Sequence, residues 1–80
     1  MEIKILAFGI THELIGEREF TLNIDSETDV AKLRNLLYQE YPNLKGLKSM
    51  AIACNEEYAE DHHKILPNSV IALIPPVSGG

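Results

Sequence analysis

Basic residues are scarce in this sequence: seven Lys and Arg stand against twelve Asp and Glu, a formal charge of −5 at pH 7. That balance has the wrong sign for a surface that tracks phosphates, which excludes nucleic acid as a default partner. Long apolar runs are missing too. The longest, around Val70 to Pro76, falls far short of the roughly 20 residues that cross a bilayer, and the first nine residues carry Glu2 and Lys4. Neither a signal peptide nor a membrane anchor is expected. The single cysteine, Cys54, has no second thiol to bridge to. The staple of small secreted domains is therefore absent, and a reducing, cytoplasmic setting is expected. There is no glycine loop to cradle a phosphate, no internal repeat and no low-complexity tract. His12, His62 and His63 stand beside no Ser or Cys in a nucleophile motif.

What is present suffices for one small core. Eighty residues, 45% of them hydrophobic, fit one domain and leave no room for a second. Ile3, Ile5 and Ala7 alternate with Lys4, Leu6 and Phe8, the period of a strand, and Gly9 punctuates it. Ile10 to Glu17 is mixed, ending at Gly16. Phe20, Leu22 and Ile24 then alternate with polar residues as a second strand, hairpin-paired with the first. Asp25 to Asp29 is polar, with Thr28 placed to cap the helix that follows and Asp29 suited to its positive end. From Val30 the period switches to Val30, Leu33, Leu37 and Tyr41, widened by Leu36. Pro42 ends that helix near Glu40 or Tyr41.

Met50, Ile52 and Cys54 alternate as a third strand, Asn55 opens a turn, and Tyr58 lies on a short return strand. Glu60 to Ser69 is irregular, with a turn at Pro67 and Asn68. Val70 to Ile74 is an almost continuous apolar run, predicted to be a central strand buried on both sides. One helix packed across a mixed sheet of about five strands, with the last strand beside the first, is an α+β β-grasp domain of the ubiquitin-like kind. Residues 1–74 form that domain in this reading and 75–80 a flexible tail. A ferredoxin-like layout would need a second helix.

Glu60, Asp61, His62 and His63 resemble metal ligands only superficially, because adjacent histidines in a polar turn are usually solvated; no metal is expected. Cys54 is in phase with Met50 and Ile52 and reads as a core side chain. Glu56 and Glu57 read as a solvated turn, or as a pair facing a basic partner. The remaining candidate is the tail. Pro75 and Pro76 end ladder bonding and stiffen the exit; Val77, Ser78, Gly79 and Gly80 follow. Extended, Pro75 to Gly80 reaches roughly 20 Å, slender enough for a narrow channel. The reactive group is then the Gly80 carboxylate. A bare carboxylate is a poor electrophile until ATP converts it to an acyl adenylate, after which an amine or a sulfur nucleophile can attack.

The run Val70 to Gly80, IALIPPVSGG after its valine, resembles the C-terminal signature of the molybdopterin synthase small subunits, the MoaD-type sulfur carriers. Glu13, Leu14 and Gly16 echo that family's Arg-Glu-Leu-x-Gly loop, and Asn55 to Tyr58 its segment after the third strand. His12 replaces the usual arginine, and Leu66 to Ser69 replace an Asp-Gly-Asp turn. The resemblance implies that an E1-like adenylating enzyme uses ATP to activate Gly80, and that a persulfide donor supplies the sulfur of a thiocarboxylate. It implies a heterotetramer of two large and two small subunits in which catalytic side chains belong to the large subunit. Sulfur would pass to cyclic pyranopterin monophosphate to build the molybdopterin dithiolene. Pro75, Pro76, Val77, Ser78 and Gly79 would be the docking stem, and Phe8 with nearby apolar groups the partner interface. No resident cofactor is implied. A thiamine-type sulfur carrier, a ubiquitin-like modifier joined to lysines through Gly80, and a passive adaptor remain open.

Overall fold

Strict alternation in the first strand sends Ile3, Ile5 and Ala7 to one side and Lys4 and Leu6 to the other. In the computed structural model, which describes residues 1–47 and 49–76, that strand is β1 (Glu2–Ala7), with the first three side chains buried. β2 (Glu19–Asn23) pairs antiparallel with it, setting Leu22 opposite Ile3 and Phe20 opposite Ile5. Between them Ile10 to Glu17, whose mixed pattern names no element, contains a short helix, α1 (Ile10–Ile15). Six residues are too few to carry a helical period, and α1 closes at Gly16, whose φ of 92° lies in the left-handed region that glycine enters freely.

The main helix is α2 (Val30–Glu40), with Val30, Leu33 and Leu37 buried as their spacing requires. Its cap is Asp29, not Thr28: the extended Asp29 backbone aims its carboxylate at the Lys32 N–H, 2.9 Å away. Thr28 is instead buried, and its carbonyl accepts the Ile65 N–H at 3.0 Å. α2 stops before Pro42, as expected, and the chain continues in a 3-10 turn, Pro42–Gly46, that buries Leu44. β3 (Ala51–Cys54) and β4 (Glu57–Tyr58) form the second hairpin, and β5 (Val70–Ile74) follows the turn at Pro67 and Asn68.

The sheet order is β2-β1-β5-β3-β4, with β5 parallel to β1 and every other pair antiparallel. This is the β-grasp arrangement. Ile3, Ile5, Ile52, Cys54, Ile71 and Leu73 meet Leu33 and Leu37 in one cluster, so α2 covers one face. Truncating such a side chain to alanine costs about 2–5 kcal/mol, a large share of a small domain's stability. The expectation that β5 is buried on both sides is corrected here. Ile71 and Leu73 are sealed, whereas Val70 is exposed and Ala72 and Ile74 are only half-buried. A single eleven-residue helix covers one side of a sheet, and the other side stays open.

Candidate functional site: the open sheet face and the root of the tail

Because β5 runs parallel to β1, with Leu73 opposite Ala7, the chain leaves β5 at the same end where β1 gives way to Phe8 and Gly9. The exit is braced there. The buried Thr11 hydroxyl donates to the Phe8 carbonyl and lies 3.4 Å from the Leu73 carbonyl, tying α1 to the last turn of both strands. Gly9 has φ +54°, and a Cβ on it would stand 3.2 Å from Pro75 Cγ. The glycine thus both permits this backbone and leaves room for the proline. Pro75 is half-buried and Pro76 exposed. Val77, Ser78, Gly79 and Gly80, the rest of the predicted stem and the predicted reactive end, lie outside the described residues.

The open face beside this exit is apolar at its centre. The pairing register places Leu6 beside Ala72, Lys4 beside Val70, Ala53 beside Ala72 and Tyr58 beside Ala53, all on the side away from α2. Phe8, the predicted interface residue, is half-exposed at 50%, and Tyr58 is exposed at 74%. A groove of about 520 Å³ is lined by Leu6, Phe8, Val70 and Ala72 together with Asn55 and Glu56. On the other flank of Phe8 lies a hollow of about 560 Å³, with His12, Arg18 and Glu19 on its walls. Lys4 and Glu19 form a loose ion pair at 3.9 Å on this face. Both are exposed, so the pair contributes little.

Sequence reading singled out Phe8 but missed Leu6, Val70, Ala72 and Tyr58 as its companions. The signal was available: β5 is apolar in both phases of its alternation, Leu6 and Phe8 continue the second phase at the end of β1, and one helix cannot bury both.

Cys54 is buried beside Ile71, where burial pushes its thiol above the ordinary range. The neutral thiol is the form the fold prefers, so its contribution is full below the unfolded thiol pKa and is lost as pH rises through the folded value. Cys54→Ala should leave intact the sulfur transfer that the resemblance implies and lower the melting temperature by a few degrees through the small cavity it creates. A transfer assay run beside a thermal melt checks both; loss of transfer in a folded variant would make the thiol a relay. His62 and His63 lie in an exposed turn where His62 Nε2 is 3.4 Å from Glu60. Among the described residues no three His, Cys, Asp or Glu side chains converge on a point that could hold a metal. Among the described residues, no helix is long and apolar enough to cross a membrane.

This geometry sets the chain's exit at Pro75 beside an open apolar face of a ubiquitin-like β-grasp sheet, and the chain belongs to the ThiS family, whose pattern matches residues 5–80. It is 39% identical over 83 residues to the molybdopterin synthase sulfur carrier subunit of Caenorhabditis briggsae, covering 100% of this chain and 99% of that protein. Among solved structures it is similar to a chain in the complex of subunits 1 and 2 of the molybdopterin-converting factor from Helicobacter pylori. There the TM-score is 0.70 at 28% identity, with 100% of both chains covered. SAMP1 from Haloferax volcanii matches at TM-score 0.86 over 100% of both chains; at 22% identity that likeness speaks for the fold.

Proposed function

We infer that this chain is the sulfur-carrier small subunit of a molybdopterin synthase, carrying sulfur as a thiocarboxylate at Gly80. The observation that carries the reading is the full-length similarity to molybdopterin synthase sulfur carrier subunits. It is joined to an exit at Pro75 that is braced beside an open apolar face. In this reading a Gly80 carboxylate oxygen attacks the α-phosphate of ATP on an E1-like adenylating enzyme, pyrophosphate departs, and the acyl carbon gains AMP as a good leaving group. The outer sulfur of a persulfide donor then displaces AMP to form an acyl disulfide, and a second thiol reduces that bond, leaving the thiocarboxylate on Gly80 and a disulfide on the thiol side. ATP is consumed by the activating enzyme, and the carrier keeps no cofactor.

The thiocarboxylate is a soft nucleophile, ionised at neutral pH, and needs delivery more than activation. The large subunit takes Phe8 and its neighbours as a docking surface, and the stem Pro75, Pro76, Val77, Ser78 and Gly79 threads to its active site. Two such deliveries to cyclic pyranopterin monophosphate complete the dithiolene. Catalytic side chains belong to the large subunit, and two large with two small subunits make the working heterotetramer in the cytoplasm. The reading is tested by reconstitution: thiocarboxylated carrier, large subunit and precursor should yield dithiolene in proportion to carrier supplied. Carrier bearing a plain carboxylate should yield none.

A further inference from the structure

The register pairing Cys54 with Glu57 leaves Asn55 and Glu56 as a two-residue hairpin loop, and both have positive φ, 50° and 75°. Such a loop needs that backbone, and Asn followed by Gly is the pair that adopts it with least strain. Asn55 fits its place. Its N–H donates to the Val70 carbonyl at 2.8 Å and its Oδ1 accepts the Val70 N–H at 2.9 Å, so the loop is fastened to the start of β5. Glu56 does not: a glutamate in the left-handed region is strained, and such strain persists only where surrounding contacts hold it.

What distinguishes Glu56 is where that strained backbone puts it. It lines the apolar groove together with Leu6, Phe8 and Ala72. Glu57, its neighbour in sequence, points with Cys54 to the opposite side of the sheet. Among the described residues Glu56 takes part in no ion pair, and Lys4 on the same face is engaged by Glu19. A carboxylate at the rim of an apolar groove, on a domain of charge −5, is complementary to an apolar surface bordered by a cation.

We propose that Glu56 is a specificity-determining residue of the docking face, receiving a Lys or Arg side chain of the large subunit, and that its strained turn sets the residue beside the groove. The assignment rests on the docking role given to this face above. Binding of the large subunit to wild type, Glu56→Gln, Glu56→Lys, Glu56→Gly, Glu57→Gln and Phe8→Ala carriers, each with a thermal melt, tests it.

Glu56→Gln should bind about 3- to 10-fold more weakly and Glu56→Lys roughly tenfold more weakly again, while Glu57→Gln binds like wild type. The difference between wild type and Glu56→Gln should shrink as salt approaches about 1 M, where the screening length is near 3 Å. Glu56→Gly should melt a few degrees higher yet bind no better than Glu56→Gln, separating strain from recognition. Glu56→Gln and Glu56→Lys carriers that bind like wild type while Phe8→Ala loses affinity would overturn the assignment and leave the docking face standing. Equal binding by all variants, Phe8→Ala included, would remove the docking face itself and the assignment with it.

Discussion

A carrier shortened by Gly80 should transfer no measurable sulfur while melting where the full chain melts. Removing Gly80 leaves Gly79 with the same functional group, so the chemistry of the terminus is unchanged and only its position retreats, by about 3.5 Å. Misplacing a reacting group by about 1 Å can cost 100-fold, so the loss expected here is several orders of magnitude. Adding one alanine after Gly80 should fail as completely, because the Gly80 carboxyl is then locked in an amide. The folded core is indifferent to either change, since β5 ends at Ile74 and the buried side chains of that strand are Ile71 and Leu73. Turnover with chemically thiolated carriers, measured beside melting temperatures, distinguishes position from stability.

Phe8→Ala is the second change with a large expected effect. Phe8 is half-exposed and stands where the groove and the neighbouring hollow meet, so it is placed as an aromatic anchor for whatever covers the face. Anchors of this kind carry about 2 kcal/mol or more, which is roughly 30-fold in affinity. Affinity for the large subunit should fall at least that far. The melting temperature should move by only a few degrees, because the ring contributes little to the buried core. Calorimetric titration gives the affinity, and wild-type affinity in the variant would move the docking site elsewhere.

How much of this was legible in the sequence differs by element. α2 and the strands were readable because each is long enough, or strictly enough alternating, for burial to imprint a period: Val30, Leu33 and Leu37 could belong only to a helix. α1 was not, since six residues span less than two turns and its one fully buried side chain, Thr11, is polar. Its role, bracing the β5 exit through the Thr11 hydroxyl, depends on a carbonyl 62 residues away. The helix cap fell on Asp29 because both neighbouring residues are competent caps and only the backbone angles decide between them.

The open face was misjudged for a different reason. An apolar run such as Val70 to Ile74 reports that a strand lies inside the sheet; it does not say whether both faces are covered. Its paired strand β1, with Leu6 and Phe8 out of phase with Ile3 and Ile5, carried the missing information. Two apolar phases above one helix leave a surplus face, and that face is the candidate docking surface. Glu56 illustrates the limit from the other side. Its type suggests a solvated turn, and only its φ of 75° and its place in the groove give it a further meaning.

The most direct test of the account is the intact mass of the carrier after incubation with the adenylating enzyme, ATP, a persulfide donor and a thiol reductant, followed by fragmentation to locate any added sulfur. One oxygen exchanged for sulfur, placed by the fragments at Gly80 and absent when ATP is withheld, is the predicted result. An unchanged mass, or sulfur found on Cys54 with Gly80 unaltered, would contradict it.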